Sequence, residues 1–253
     1  MLRARRFALV ALMALLGGAA LAGCQGTAPD VAVRIGDTQF TNTQVDDIVD
    51  QIDAEVLAAA LKEPTPSPSP AVGLPADQFG SLRQRVVQYL VFNELAKRYA
   101  AEKGFELPTS DYASAAPQVG LAAGNPFVKI VTDYNAYRTL LMTKVAKPVP
   151  TEADLRDAYD RAKAASPDLP SYEEIKPQLP EVSGYLEGLG VRNELDAAAK
   201  RYGFEVNPRY EPLEIPVTVV SINASDGSDR QIQVTLVGIP FGSSVSPAVR
   251  DLP

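Results

Sequence analysis

Apolar residues recur at helical spacing through most of this chain and at strand spacing near its two ends. Val31-Ala32-Val33-Arg34-Ile35 reads as a half-buried strand, Gly36-Asp37 as a turn and Thr38-Gln39-Phe40 as a brief return strand. Thr41 and Gln44 then form a capping-box pattern. The helix they open is expected to run to about Lys62, with Val45, Ile48, Val49, Ile52, Val56, Ala60 and Leu61 on one stripe. Helical period returns from Phe79 to Lys103, with Leu82, Val86, Val87, Leu90, Leu95, Ala96 and Tyr99 facing inward and Gly104 just past the end.

A short helix is expected within Thr109–Val119. Asn125-Pro126 is an N-cap followed by proline in the first turn, and the helix it opens reaches about Ala146. Val128, Val131, Tyr134, Leu141 and Val145 are among its apolar positions, and Pro148 and Pro150 stop it. Thr151-Glu152-Ala153-Asp154 caps a further helix that carries Leu155 and Tyr159 inward and fades near Ala164. Residues 165–170 connect it to another cap, Ser171-Tyr172-Glu173-Glu174. Pro177 and Pro180 predict a kink or two pieces, followed by a main helix over about 181–202 that Gly184, Gly188 and Gly190 weaken. Gly203 ends it, and Phe204-Glu205-Val206 reads as a strand. Ile215–Ile222 and Gln231–Ile239 are β-rich and predict a hairpin joined by residues 223–229, with a frayed tail over 241–253. The expected fold class is mainly α with small β elements.

The proline-rich stretch within 63–78, Pro64-Thr65-Pro66-Ser67-Pro68-Ser69-Pro70, forbids helix and favours extended chain. It reads as a loop inside the helical domain; a ligand for a proline-recognition module and an O-glycosylated segment are its two functional readings.

The N-terminus has a separate organisation. Arg3, Arg5 and Arg6 precede an apolar run from Phe7 to Leu16, and Gly17–Gly23 is built mostly of small residues. Leu21-Ala22-Gly23-Cys24 resembles a bacterial lipobox, which implies cleavage before Cys24 and a lipid on its sulfur. An ordinary secretory signal ending near a cysteine is the competing reading. The apolar run is shorter than the roughly 20 residues of a membrane span. The expected organisation is a signal peptide over 1–23, a tether over 24–30, a helical domain over 31–211, and a hairpin with a flexible tail over 212–253. Only six residues separate Cys24 from Val31, so the tether reaches roughly 20–25 Å when extended. The expected location is the extracytoplasmic face of the cell membrane.

Composition narrows the chemistry. Without residues 1–23 the chain has 21 basic and 31 acidic residues, a net charge of −10, which argues against a nucleic-acid partner and against electrostatic attachment to anionic lipid. There is no histidine, and Cys24 is the one cysteine, which excludes His-based triads, most zinc sites and disulfides. No cofactor, metal or catalytic residue is expected. Asp46, Asp50 and Asp53 share a helix face and admit a metal-binding reading, against which stands that of a solvated acidic face. The adjacent pairs Glu173–Glu174 and Asp46–Asp47 do not face each other on a helix and make no acid/base dyad.

The order of elements resembles the SurA-like chaperone domains. Ile35-Gly36-Asp37 with Phe40-Thr41 and a capped helix resembles their opening. Val149-Pro150-Thr151-Glu152-Ala153-Asp154-Leu155 with Tyr159 is similar to the helix they carry late in the N-terminal domain, and Ser171-Tyr172-Glu173-Glu174-Ile175-Lys176 to the start of their returning helix. Residues 201–210 are similar to the final strand of lipoprotein members in actinobacteria. The resemblance covers about residues 31–210. It implies that strand 31–35 pairs with strand 204–206 and that the helix at 181–202 packs on that at 42–62. SurA and PrsA relatives carry a parvulin-type isomerase domain where this chain has residues 165–170, so isomerase activity is not expected here.

The resulting expectation is a membrane-anchored, chaperone-like lipoprotein that binds unfolded or exported polypeptides without ATP. Tyr134 and Tyr137 are candidate client contacts, with ordinary core and rim packing as their alternative. Two further readings stay open: a tethered scaffold or assembly factor with one dedicated envelope partner, engaged through the same groove or through the 215–239 hairpin, whose exposed edge would add a strand to that partner, and a transporter's solute-binding lipoprotein.

Overall fold

A computed structural model describes residues 30–61, 81–223 and 231–241. The expected signal peptide, Cys24, the tether up to residue 29, the proline-rich stretch, the hairpin loop beyond Asn223 and the tail beyond Phe241 lie outside the described residues.

The chain closes on itself through a small antiparallel sheet. Strand β1 (Val31–Ile35) lies between β2 (Thr38–Thr41) and a strand from the far end of the helical region, β3 (Phe204–Val206). Val33 faces Val206 and Ile35 faces Phe204, so the expected pairing of 31–35 with 204–206 is present. Asn207 extends the lock: its backbone N–H donates to the Ala32 carbonyl at 2.9 Å and its side-chain amide to the Val31 carbonyl at 3.0 Å. The β1–β2 turn needs Gly36, at φ 60°, because a side chain there would meet the Arg98 guanidinium and the Tyr202 carbonyl at 3.1 and 3.2 Å.

Among the described residues, seven α-helices follow this entry. Capping boxes start α1 (Asn42–Ala60) at Thr41, α2 (Leu82–Lys103) at Ser81 and α5 (Glu152–Ala165) at Thr151, and each cap satisfies backbone donors worth about 1 kcal/mol. Asp111 caps α3 (Tyr112–Val119), and Asn125 caps α4 (Pro126–Lys144), which has proline in its first turn. After α5 a single turn, α6 (Tyr172–Ile175), runs into a 3-10 turn over Lys176–Glu181. The last helix, α7, spans Tyr185–Tyr202. The expected start near 181 is therefore too early. Pro177 and Pro180 confine the chain to 3-10 geometry, and Gly184, at φ 77°, caps α7 instead of weakening its middle.

Helix α2 is buried on more of its circumference than a single stripe. Val86, Val87, Leu95, Ala96 and Tyr99 are buried as expected, and so are Tyr89, Val91, Phe92, Arg85 and Gln88; Leu82 and Leu90 are half-buried. The extra coverage comes from α4, whose Phe127 and Tyr134 rings meet Tyr89 and Phe92, and from the C-terminal hairpin, β4 (Leu213–Asn223) and β5 (Gln231–Phe241), where Gln88 bonds to β4. Leu213, Ile215, Val217, Val234, Leu236, Val237, Ile239 and Phe241 join the same apolar cluster as the helices. Strand β4 packs on α2, β5 on α5, and α7 lies against both strands. Helix α7 also packs on α2 and α4, whereas its expected main contact, α1, packs instead on α2 and the small sheet.

Two glycines of α7 make this packing possible. A Cβ at Gly188 would sit 2.0 Å from the Thr218 hydroxyl oxygen, and one at Gly190 would sit 2.5 Å from the Ala146 carbonyl oxygen. Their cost in helix propensity is offset by close approach of neighbouring backbone. Gly190→Ala is expected to destabilise the protein by about 1–3 kcal/mol through overpacking against backbone that cannot rotate away. Gly203→Ala, where a Cβ meets nothing within 4 Å but φ is 70°, should cost only about 1 kcal/mol from left-handed strain. Urea unfolding of both variants checks the order; equal losses would contradict the close-packing account.

Candidate functional site

The best candidate for a binding surface lies where α1 outruns its own core contact. Val45, Val49 and Ile52 are buried and Val56 is half-buried, but the last turn loses its cover. Leu57 is 61% exposed and Leu61, the residue after the helix, is 80% exposed. Ala54 and Ala58 are exposed as well, so the 3- and 4-residue spacings set all four on one uncovered face.

Beside this overhang runs a cleft of about 490 Å³ between α1 and α3. Ala58, Ala59, Ala113, Ala116, Pro117 and Leu121 supply most of its lining. Helix α3 is placed by Asp111, whose carboxylate accepts from the Ser114 N–H at 3.1 Å and hydroxyl at 2.7 Å; these bonds hold the Asp111 pKa below the usual range. Gly120, at φ 76°, ends the helix, and Glu55 then ties the following loop to α1. Its carboxylate accepts from the Ala122 N–H at 3.0 Å and from the Asn125 side-chain amide at 2.6 Å. The polar groups at this end of the cleft are thus engaged with one another, and the remaining lining is methyl and methylene surface. Such a surface accepts apolar side chains without demanding a particular hydrogen-bonding pattern.

A larger cavity of about 620 Å³ lies at the start of α2, lined by Asp46, Ser81, Arg83, Gln84, Arg209 and Tyr210. It is polar, Arg83 is ion-paired with Asp46, and Ser81 and Gln84 are occupied with each other in the capping box. Size alone therefore does not make it the better site for an apolar ligand.

The residues singled out in the sequence separate in the structure. Tyr134 is buried, stacks against Tyr89 and Phe92, and donates its hydroxyl to the Pro216 carbonyl. Burial pushes its pKa well up, and it is a core residue rather than a client contact. Tyr137 is half-buried and packs against the core; desolvation raises its pKa, with Asp133 adding to the shift. Asp46 pairs with Arg83, while Asp50 and Asp53 are exposed. Among the described residues no group of three acidic, histidine or cysteine side chains is placed to hold a metal. Cys24 lies outside the described residues. Among those residues no helix is long and apolar enough to cross a membrane.

The α5–α6 connection, where relatives of the resembled family carry another domain, is held by local bonds. Tyr159 donates to the Pro170 carbonyl at 2.9 Å, and Lys163 donates to the Leu169 carbonyl. Tyr172 donates to Glu152 at 2.8 Å, and Lys176 pairs with Glu152 at 2.6 Å. Arg192 reaches from α7 to Asp154 at 2.6 Å.

The overhang was legible as an apolar pattern, since Ala60 and Leu61 continue the α1 stripe. What no single-helix pattern shows is that Leu57 and Leu61 stay exposed once the described elements are assembled. The chain matches no protein-family model, and neither a curated protein nor a solved structure shows significant similarity to it.

Asp154 supplies a test of the junction. Burial raises its pKa, but the Thr151 hydrogen bonds and Arg192 outweigh that and leave it below its ordinary value. A depressed carboxylate stabilises the fold above its unfolded pKa, and that contribution is lost as pH falls through the folded value, so the loss is expected below about pH 4. The urea midpoint should fall in that window, and Asp154→Asn should be less stable at neutral pH with a shallower acid decline; an unchanged pH slope would contradict the assignment.

Proposed function

We propose that this chain is a lipid-anchored, extracytoplasmic binding protein that holds unfolded or exported polypeptides without ATP. The observation that carries the reading is the uncovered apolar end of α1, with Leu57 and Leu61 projecting beside a cleft of small apolar side chains. An exposed chain segment offers apolar side chains in no fixed order, and shallow, adaptable apolar surface suits such a ligand. Each contact is weak, so release needs no energy source. The acidic balance of the chain leaves nucleic acid a poor partner.

Two sequence features add support. The lipobox-like Leu21-Ala22-Gly23-Cys24 fits attachment through a lipid on Cys24, and the order of elements resembles SurA-like chaperone domains without their isomerase insert. A short tether would keep the apolar end of α1 close to the membrane surface, where exported chains emerge. The protein acts in this reading by binding and not by catalysis.

Aggregation of an unrelated unfolded protein measures the activity. Near-stoichiometric wild-type chain should suppress it, and the double variant Leu57→Ser, Leu61→Ser should suppress it several-fold less while unfolding at the same urea concentration, because both positions are largely exposed. Suppression unchanged in the double variant would overturn this placement of the site; no suppression by wild type, with one partner recovered by crosslinking, would favour the dedicated scaffold. Cys24→Ser should abolish lipid incorporation and move the protein out of the membrane fraction.

A further inference from the structure

We infer that the outer half of the β4–β5 hairpin takes up an extended polypeptide segment by strand addition. The inference rests on the reading of the chain as a polypeptide-binding protein, and it assigns a second surface for the same ligand class. The two halves of the hairpin differ in how their edges are treated. In the inner half, helix side chains occupy the outward carbonyls of β4. Gln88 donates to Glu214 at 2.8 Å, Tyr134 to Pro216, and Arg138 to Val217 at 2.9 Å. Pro216 has no N–H to leave unpaired on that edge, and β5 packs on α5.

Register irregularities between Pro216 and Val219 bend the ladder, and beyond them the pattern changes. Among the described residues, no hydrogen bond from another element reaches the backbone of Val219–Ile222 or Ile232–Thr235. Pairing of Val220 with Val234 and of Ile222 with Ile232 sets these four side chains on one face, half-buried to buried against the core. Ser221 and Gln233 lie on the other face, bonded to each other. Among the described residues, the outward N–H and C=O groups of these two segments therefore have no partner from another element, and they run beside an apolar strip.

The usual protections of such an edge are missing here. Val219–Ile222 and Ile232–Thr235 contain no lysine, no other charge and no proline. An unprotected row of backbone donors and acceptors is complementary to one thing, an extended backbone in the same state, and alternate apolar side chains on the added strand would continue the Val220–Ile222 strip. A second copy of this chain is the less favourable occupant, because it would bring together two molecules of net charge −10 after removal of residues 1–23. The favoured segment is neutral or basic, with apolar residues at every second position.

Hydrogen exchange on the full chain tests this with a capped seven-residue peptide of alternating threonine and valine. A second probe is the same peptide N-methylated at every residue, so that neither of its edges can donate. The outward amides among Val219–Ile222 or Ile232–Thr235 should exchange at least tenfold more slowly with the first peptide and show no slowing with the second. Equal slowing by both, no binding, or binding that leaves these amides unchanged overturns the inference. So does slowing without peptide that grows with protein concentration, which would place a second copy on the edge. If the peptide fails here while the chain still suppresses aggregation, the proposed function stands and only this surface is wrong; loss of both removes both.

Discussion

The approach of α7 to β4 is the contact around which the rest of the molecule is arranged. Thr218 donates its hydroxyl to the Gly184 carbonyl at 2.7 Å, and Gly188 leaves the space that this hydroxyl fills. A helix with ordinary side chains at 188 and 190 would stand farther off, and the apolar faces of α7, β4 and β5 would no longer share one interior. With the contact made, Leu189, Val191 and Leu195 are buried in the same apolar cluster as the hairpin, and Tyr185 is fully buried at the start of the helix. The hairpin is thus part of the core and the helices are gathered around it.

This arrangement accounts for polar residues that otherwise look misplaced. Gln88 and Arg138 lie at helix positions turned toward apolar surroundings, and each finds a β4 carbonyl. Unpaired, those carbonyls would cost about 1–3 kcal/mol each on burial. Glu214 crosses β5 over Gly238, where a Cβ would fall 2.1 Å from its carboxylate, and meets Arg161 of α5 at 2.7 Å. Burial lowers the Arg161 pKa, but Glu214 and Asp157 outweigh that and hold it above its ordinary value. The same economy explains the apolar surface that remains. Among the described residues, helix α1 packs on α2, α4 and the small sheet, and its buried side chains, Asn42, Val45, Val49 and Ile52, all lie in its first turns. Leu57 and Leu61 are what is left over, and that remainder is the proposed site.

Local chemistry made much of the fold readable from the residues. Thr41, Thr151 and Ser171 announce helix starts because a hydroxyl three residues before Gln, Asp or Glu satisfies donors within one turn, and Gly104 and Gly203 end helices by adopting left-handed φ. The Ser81–Gln84 box is hidden in the sequence because Phe79 continues the apolar period ahead of it. The role of the α7 glycines is not legible in the sequence for a deeper reason. Propensity registers what glycine costs a helix, whereas its benefit at 188 and 190 comes from Thr218 and Ala146, distant in sequence. Tyr134 illustrates the same limit: its ring fits a rim or a core equally well until Pro216 is known to lie beyond its hydroxyl. The exposed end of α1 was visible as apolar residues, but its lack of a partner is a property of the assembled helices.

The sequence divides naturally at residue 211, where the helical region ends and the β-rich region begins, whereas the packing runs through that division. Truncation of the chain after Glu211 therefore tests the account most directly, with unfolding followed by circular dichroism and by near-ultraviolet tyrosine signal. If the hairpin completes the core, the shortened protein should lose its cooperative transition and its tertiary signal while keeping part of its helical content. A truncated chain that unfolds cooperatively, at a urea concentration close to that of the full protein, would contradict the account and restore the hairpin to the status of an appendage.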